Sequence, residues 1–430
     1  MKRLAAILAL LTISTYTYSQ TPNLGRLDSM FNALSANNLA IGGVTITSNG
    51  KIIYQRSFGK DQTLKTEYRL GSITKVFTAA LTYQLIEAKK LNVDTKLSVY
   101  FPDLPNADKI TIEELLGHRS GLASYTNNTG FDDWKEQPKT HAQLLEMIKN
   151  QKPDFEPNAK PDYNNSNYLI LGYIIEKIYN KPYKDIVTER IIKKLGLKQT
   201  YYGAKSGFQP GEAISYKYSD NKWKQDKAVY LDNFSGAGAI ISTPADLCKF
   251  INAIFAYKLI SKQSVDYMKT IVHGYGRGMF PYGDEQHRGF GHNGKTEGFG
   301  SSVQYYPQNK LAIAYCTNGE VYPKDQILDH VFKSCFNLPD TVPSFKIITL
   351  SQKQLEGYTG TYSASSGLEV VNTLDNGLLI LSLKGQPFKL QPISDHEFWN
   401  IPFGFFFYFD QNGKKLFIED AGAVYELYKK

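Results

Sequence analysis

A serine and a lysine three residues apart, Ser72 and Lys75, stand at the head of an apolar stretch of this chain. The stretch covers residues 76–88 and has hardly any polar face, which predicts a helix buried in a large protein. Residues i and i+3 share one face of a helix with Cβ atoms about 5–6 Å apart, so the Lys75 amine can reach the Ser72 hydroxyl. A buried amine has a lowered pKa and can take the hydroxyl proton while the serine attacks a carbonyl carbon. The pair predicts acyl transfer through a covalent serine intermediate.

The Ser-x-x-Lys spacing occurs four times, at Ser48, Ser57, Ser72 and Ser219. Ser48 and Ser57 fall in a predicted β-hairpin, and Ser219 falls in a polar loop. Ser72 alone opens a long helix. The pair still admits a second interpretation, in which Ser72 caps the helix and Lys75 is a solvated residue of its first turn.

Composition and charge describe an ordinary globular protein. The 430 residues are 42% hydrophobic, and the formal net charge of +8 is spread without a basic block, so no nucleic-acid partner is indicated. Met1-Lys2-Arg3 and the apolar residues 4–13 predict a secretory signal peptide over residues 1–19. No later stretch reaches about 18 apolar residues, so no transmembrane segment is expected. We expect an exported protein, periplasmic or secreted.

Three cysteines, Cys248, Cys316 and Cys335, lie far apart in the sequence. Their odd number excludes a full disulfide framework but leaves a single bridge open, and their spacing is not that of metal ligands. The chain contains neither His-Glu-x-x-His, which is typical of zinc peptidases, nor Gly-x-Ser-x-Gly, which is typical of α/β-hydrolases. We therefore expect neither a metal nor a cofactor.

Hydrophobic periodicity and turn signals divide the chain into elements. A helix near residues 24–34, a hairpin, a mostly helical region, two further strands and a helix near residues 324–335 follow one another. This order predicts an α+β fold, in which an antiparallel sheet with strands from both ends is flanked by helices and carries an inserted, mostly helical subdomain. Short β runs separated by turns predict a small C-terminal all-β, barrel-like domain. The expected parts are a serine hydrolase domain over residues 20–338, a linker over 339–352 and the all-β domain over 353–430.

Two more short motifs follow Ser72 in the chain. Tyr163-Asn164-Asn165 precedes a predicted helix, and His292-Asn293-Gly294 leads into a predicted strand. Together with Ser72 and Lys75, and in this order, they resemble the serine penicillin-recognising enzymes. The branch is that of class C β-lactamases, D-alanyl-D-alanine carboxypeptidases, D-aminopeptidases and related esterases. The resemblance covers about residues 25–337 and implies a β-lactamase/transpeptidase-like fold.

The resemblance implies a role for each motif residue. Ser72 is expected to carry the acyl group, and Lys75 and Tyr163 to share the roles of general base and acid, in a division that the family leaves open. For Tyr163 to act as a phenolate base, a cationic neighbour such as Lys75 has to lower its pKa. Asn165 is expected to hydrogen-bond Lys75 and a substrate amide, with a simple helix cap as the alternative.

His292 and Gly294 are expected to form the strand edge that binds the substrate, where many relatives carry Lys-Thr-Gly. The backbone N–H groups of Ser72 and Lys295 would form the oxyanion hole. An unperturbed imidazole has a pKa of about 6.5, so His292 should gain charge as the pH falls from 8 to 6 and lower the KM of carboxylated substrates there. Tyr125 either lines the acyl pocket or is a surface tyrosine.

The function that these residues fit best is a D-alanyl-D-alanine carboxypeptidase-like enzyme or D-amino-acid peptidase, acting on a small-molecule or peptide substrate. A carboxylesterase or a weak β-lactamase of the same family is the alternative. An inactive penicillin-binding sensor is the alternative of another class. His118 could serve as the base of a catalytic triad, but its place in a glycine turn favours a structural role. The substrate itself and the oligomeric state stay open.

Overall fold

The computed structural model describes residues 21–127, 130–204, 207–219, 222–343, 345–400, 405–420 and 423–430. The expected signal peptide, residues 1–19, lies outside the described residues. The helices are α1 (Leu24–Ala36), α2 (Thr74–Glu87), α3 (Ile112–Leu116), α4 (Phe131–Trp134), α5 (His141–Lys149), α6 (Asn165–Tyr179), α7 (Tyr183–Val187), α8 (Ser235–Gly238), α9 (Pro244–Phe255), α10 (Lys262–Lys269), α11 (Lys324–Cys335) and α12 (Gln352–Glu356). The strands are β1 (Ala40–Ser48), β2 (Lys51–Phe58), β3 (Tyr68–Arg69), β4 (Tyr201–Tyr202), β5 (Tyr216–Ser219), β6 (Lys222–Gln225), β7 (Ile240–Ser242), β8 (Phe280–Tyr282), β9 (Gly289–Thr296), β10 (Phe299–Tyr306), β11 (Leu311–Glu320), β12 (Gly360–Ser363), β13 (Glu369–Asp375), β14 (Leu378–Leu383), β15 (Gln386–Pro392), β16 (Glu397–Asn400), β17 (Phe405–Phe409), β18 (Lys415–Asp420) and β19 (Ala423–Lys429).

Six antiparallel strands in the order β2-β1-β11-β10-β9-β8 form the main sheet. Strand β1 pairs with β11 from Ala40 opposite Glu320 to Ser48 opposite Leu311, so strands from distant parts of the chain meet inside the sheet. Successive residues of β11 point to opposite faces. Ile313 and Tyr315 pack with α1 and α11, whereas their neighbours pack with the helices of the inserted region. The predicted α+β fold is confirmed.

Helix α2 runs through the centre of the helical side. Its residues from Thr74 to Leu85 are all buried, including Lys75. The Phe77 ring stacks on Phe250 of α9, with ring centroids 3.7 Å apart. Burial on every side explains why the sequence of this helix has no polar face, and it holds the first turn of α2 in a fixed place.

Strands β12 to β19 close into an eight-stranded barrel. Phe407 and Phe409 of β17 lie in the barrel core, whereas Phe406 faces the other way and packs with Tyr322 and Trp399 against the rest of the molecule. Both faces of this strand are buried, as its run of aromatic residues indicates. The predicted all-β domain is confirmed, and its boundaries as an independent unit stay a prediction.

The three cysteines are buried and free, so the structure has no bridge among them. Over the ranges that the structure describes, no helix combines the length and the apolar character needed to cross a membrane.

Candidate active site

Ser72 lies in a 3₁₀ turn, Gly71–Ile73, immediately before α2. Neither this turn nor α2 has a side-chain cap, and Lys75 is 0% exposed. The interpretation of the pair as a helix cap and a solvated lysine is therefore wrong. The other three serines with a Ser-x-x-Lys spacing lie on strands β1, β2 and β5, so none of them stands at the head of a buried helix.

The Lys75 amine has three polar contacts, and all of them are uncharged. Its Nζ lies 2.9 Å from Ser72 Oγ, 2.8 Å from Asn165 Oδ1 and 2.9 Å from the Ala237 carbonyl oxygen. Burial lowers the pKa of Lys75 well below its usual value. A neutral amine has two N–H donors and one lone pair, which match the two carbonyl-type acceptors and the Ser72 hydroxyl proton. The amine is therefore arranged to act as a base.

The Tyr163 hydroxyl contacts the same serine oxygen. Its oxygen lies 2.6 Å from Ser72 Oγ, and Lys75 Nζ lies 4.9 Å from the centre of its ring. Burial raises the pKa of Tyr163, and the hydrogen bond with Ser72 offsets this only in part. A phenol in this state keeps its proton at neutral pH and donates to the serine oxygen. The structure thus favours Lys75 as the base and Tyr163 as the proton donor, and it disfavours a phenolate.

Asn165 begins α6 but does not cap it. The cap is Asn164, whose Oδ1 accepts a hydrogen bond of 2.7 Å from the Ser166 N–H. Asn165 is free to face the site, where its Oδ1 accepts from Lys75 and its Nδ2 donates to Thr126 Oγ1 over 2.9 Å. The sequence did not predict this role of Thr126. By accepting a hydrogen bond from Asn165 Nδ2, Thr126 orients the amide so that its oxygen faces Lys75.

Strand β9 passes the turn that carries Ser72 at backbone contact. A Cβ on Gly294 would lie 1.9 Å from the Leu70 carbonyl oxygen, and one on Gly71 would lie 2.8 Å from that of Lys295. Gly71 also has a φ of +53°, which favours glycine. The two glycines bring the Lys295 backbone beside the turn that carries Ser72, which is the arrangement that an oxyanion hole of these two N–H groups needs.

His292 differs from its expected behaviour. The residue is 1% exposed, and its ring packs against Phe280 and Tyr163, with ring centroids 4.6 and 6.3 Å away. Burial lowers the pKa of His292 to about 3. The imidazole therefore stays neutral from pH 8 to 6, and the expected gain of charge over this range is wrong.

A cavity of about 330 Å³ has Ser72 in its wall, together with Asn165, Thr126 and Lys295. Tyr125 does not line it. The Tyr125 side chain is fully buried, and its hydroxyl donates to the Asn233 carbonyl over 2.9 Å. Both interpretations of Tyr125, as pocket wall and as surface residue, are wrong, because the turn directs Thr126 to the cavity and Tyr125 into the core.

The charged side chains around the cavity are mostly paired. Three of the lysines that line it form ion pairs: Lys135 with Asp132, Lys217 with Asp226 and Lys227 with Glu136. Lys295 is exposed and forms no ion pair within the described part of the chain. Its ammonium group is available to an anionic group of a substrate. No group of three or more His, Cys, Asp or Glu residues in the described ranges could hold a metal ion.

A buried ion-pair cluster that sequence reasoning missed supports one wall of the cavity. Arg69, which is 1% exposed, donates to the carboxylates of Glu297 and Glu212 over 2.8 and 3.4 Å. It also donates to the carbonyls of Gly207 and Val229, over 2.7 and 3.0 Å. Burial raises the pKa of Glu297, and Arg69 opposes this. One guanidinium thus joins the tip of the β9–β10 hairpin to two loops of the helical region.

The chain is similar to known proteins over most of its length. The model of the family described as Beta-lactamase matches residues 27–333. Penicillin-binding protein 4* of Bacillus subtilis is 26% identical over 411 residues, covering 87% of this chain and 90% of that protein. Teichoic acid D-alanine hydrolase of Staphylococcus aureus is 29% identical over 261 residues, covering 59% of this chain and 63% of that protein. The crystal structure of a D-stereospecific amidohydrolase from Streptomyces sp. is 26% identical with a TM-score of 0.65, covering 73% of this chain and 98% of that one.

Proposed function

Because this chain belongs to the Beta-lactamase family and is a serine hydrolase of that family, we propose that it forms an acyl-enzyme on Ser72. One observation carries the proposal. Ser72 Oγ lies 2.9 Å from the Lys75 amine and 2.6 Å from the Tyr163 hydroxyl. Burial lowers the pKa of the amine and raises the pKa of the phenol, so the serine contacts one group that gives up its proton more readily than usual and one that holds its proton more firmly.

Acylation begins when Ser72 passes its proton to the neutral Lys75 amine and its Oγ bonds to the substrate carbonyl carbon. The N–H groups of Ser72 and Lys295 stabilise the oxyanion. The bond to the leaving group breaks as Tyr163 donates its proton to the leaving nitrogen or oxygen, and the Lys75 ammonium restores the proton of the tyrosine. In deacylation a water gives a proton to Lys75 and attacks the ester, and Tyr163 protonates the departing Ser72 Oγ. The same transfer from Lys75 to Tyr163 then completes the cycle.

The substrate class that we propose is a D-amino-acid peptide or ester, as for a D-alanyl-D-alanine carboxypeptidase or D-amino-acid peptidase. The names of two relatives, a teichoic acid D-alanine hydrolase and a D-stereospecific amidohydrolase, support the D configuration. The free ammonium of Lys295 at the cavity suits a substrate with a carboxylate.

A carboxylesterase is the second candidate. The neutral state of His292 favours it, because an uncharged imidazole does not attract a carboxylate. For the same reason we expect β-lactams, which carry a carboxylate, to be hydrolysed slowly. An inactive sensor is disfavoured, because the Ser72 hydroxyl contacts both Lys75 and Tyr163. The Lys75 amine in turn contacts Asn165.

We also propose export to the periplasm or the medium. The support is the charged start Met1-Lys2-Arg3 followed by the apolar residues 4–13. The intact mass of protein recovered outside the cytoplasm should correspond to a chain that begins at Gln20. A mass that includes residues 1–19 would contradict cleavage.

Intact-mass spectrometry after treatment with a fluorophosphonate tests the acyl-enzyme. We expect one adduct on the wild type and none on Ser72→Ala. Ser57→Ala is the matched control, because it removes another serine of the Ser-x-x-Lys spacing and should label fully. An adduct on Ser72→Ala would refute the assignment.

The substrate class needs a separate comparison. Release of the leaving group from D-alanine and L-alanine p-nitroanilides and methyl esters, and from a chromogenic cephalosporin, should be fastest for the D-configured compounds. Equal rates for the two enantiomers would contradict D-specificity and leave the acyl-enzyme untouched.

A further inference from the structure

His118 occupies an unusual backbone conformation next to the active site. It follows the end of α3 and has a φ of +56°, in the left-handed region that non-glycine residues rarely adopt. The residue is 2% exposed. A strained, buried histidine persists only where surrounding contacts fix it, and such positions cluster near functional sites.

The hydrogen bonds of His118 flank Tyr163 on both sides. The N–H of Asp162 donates to the His118 carbonyl over 2.8 Å, and the N–H of Asn164 donates to its Nδ1 over 3.1 Å. A single residue therefore holds both peptide neighbours of the tyrosine. Because Nδ1 accepts a hydrogen bond, the proton of the neutral ring is on Nε2.

The His118 ring also packs against the Tyr163 ring. The two ring centroids are 4.6 Å apart, and the rings of Tyr168 and Tyr275 lie 5.1 and 5.7 Å from the histidine. Burial lowers the pKa of His118 well below its usual value. The Nδ1 lone pair therefore stays available to the Asn164 N–H at neutral pH.

From these contacts we infer that His118 is a positioning residue that sets the place of the Tyr163 hydroxyl at Ser72 Oγ. This inference rests on the acyl transfer proposed above. It differs from a triad, in which the His118 ring would contact the serine, because the ring nitrogen Nδ1 accepts its hydrogen bond from the Asn164 backbone next to Tyr163. It predicts that a substitution of His118 lowers kcat only through its effect on the position of Tyr163.

A double-mutant cycle tests this dependence, with D-alanine p-nitroanilide as the substrate. The anilide nitrogen needs a proton to leave, so its kcat reports on Tyr163 as proton donor. His118→Phe keeps a ring but removes the acceptor, and we expect kcat to fall by on the order of 10²-fold with KM little changed. In a Tyr163→Phe background the same change should cost less than about threefold. Equal losses in both backgrounds would overturn the inference.

Two further comparisons separate positioning from general destabilisation. p-Nitrophenyl acetate releases a phenolate that needs no proton, so His118→Phe should slow its release far less than that of the anilide. Arg119→Ala, next in the same turn, removes an ion pair with Glu113 and a hydrogen bond with Asn158 but no contact to Tyr163, and it should preserve kcat. A loss in Arg119→Ala as large as that in His118→Phe would assign the effect to the turn and refute the inference.

His118→Asn provides a second test of the inference, which can be used if His118→Phe does not fold. Asn tolerates the left-handed region, and its Oδ1 is bonded to Cγ as Nδ1 is, so it retains the acceptor. We expect kcat for the anilide within about fivefold of the wild type. A loss of 10²-fold in a folded His118→Asn would refute the role of the acceptor. If Tyr163→Phe alone leaves kcat unchanged, the proposed function fails instead, because the tyrosine is then not the proton donor.

Discussion

Two cations are buried six residues apart in this chain, and they meet opposite surroundings. Arg69 faces the carboxylates of Glu297 and Glu212, whereas Lys75 faces a hydroxyl, an amide oxygen and a carbonyl. A buried charge is tolerated when counter-charges and hydrogen bonds replace water, and it is otherwise removed by loss of the proton. The arginine therefore keeps its charge and ties segments together, while the lysine becomes a base.

The comparison shows that burial alone does not identify a catalytic cation. Both side chains are at most 1% exposed, and both lie close to Ser72 in the sequence. What differs is the charge of the partners. Substitution of Lys75 should therefore mainly reduce activity, whereas substitution of Arg69 should mainly reduce the stability of the fold.

The largest effect should come from Lys75→Arg. A guanidinium cannot give up its proton, so the change removes the base and puts a permanent charge where no counter-charge exists. We expect kcat/KM for D-alanine p-nitroanilide to fall by at least about 10³-fold. Lys75→Met is the control that removes the base without adding charge. Activity of Lys75→Arg within tenfold of the wild type would mean that Lys75 is not the base.

Arg69→Met should instead reduce the free energy of unfolding, by about 3 kcal/mol, because Glu297 and Glu212 lose their buried partner. Urea denaturation followed by tryptophan fluorescence measures the change. Arg56→Met, which breaks the more exposed pair with Asp28, is the matched control and should cost less than about 1 kcal/mol. Equal losses in the two variants would show that the Arg69 cluster adds nothing beyond a surface pair.

The pH dependence of stability should distinguish the two cations further. Unfolded Lys75 binds a proton below its usual pKa of 10.5, but the folded pKa is lowered, so the unfolded state binds more protons between the two values. Wild-type stability therefore decreases as the pH is lowered through this window and increases as the pH is raised. We expect the stability of Lys75→Met relative to the wild type to rise as the pH is lowered from about 9, by up to about 1.4 kcal/mol per pH unit between the unfolded and the folded pKa of Lys75. Arg69→Met, measured in the same way, should show no such slope. A flat difference for Lys75→Met would mean that the folded lysine is charged.

The smallest effect concerns Lys295, a cation that is exposed and free of any ion pair in the described chain. Lys295→Met should raise the KM of D-alanyl-D-alanine peptides by about tenfold and leave that of their methyl esters unchanged. The ratio of the two KM values should not change between pH 8 and 6, because the pKa of His292 is about 3. A ratio that changes with pH in this range would show that His292 titrates and reads the carboxylate.

The contact between Ser72 and Lys75, the sheet and the barrel could be predicted because short-range patterns determine them. Ser72 and Lys75 are three apart at the head of an apolar helix, and the order of elements alone indicates a sheet with strands from both ends. The short strand β8 was missed, since three residues carry no periodic pattern.

Other features depend on contacts that no local pattern records. Arg69 meets Glu297 only because β9 and β10 return to the start of α2, and the two residues are 228 positions apart. His292 was expected to titrate near neutral pH because the residue type sets a default pKa, whereas burial sets the actual one. Thr126 lines the cavity instead of Tyr125, because the direction of a side chain in a short turn depends on tertiary packing around the turn.

The pairing of β1 with β11 has a consequence for how the protein is made. Residues 40–48 leave the ribosome long before their partners at 311–320, and at 5–20 residues per second the delay is on the order of 13 to 50 s. During that time the serine and lysine of α2 exist without the β9 backbone beside them. The nascent chain cannot close its central sheet until β11 has been synthesised, so Ser72 and Lys75 reach their folded surroundings only late in synthesis.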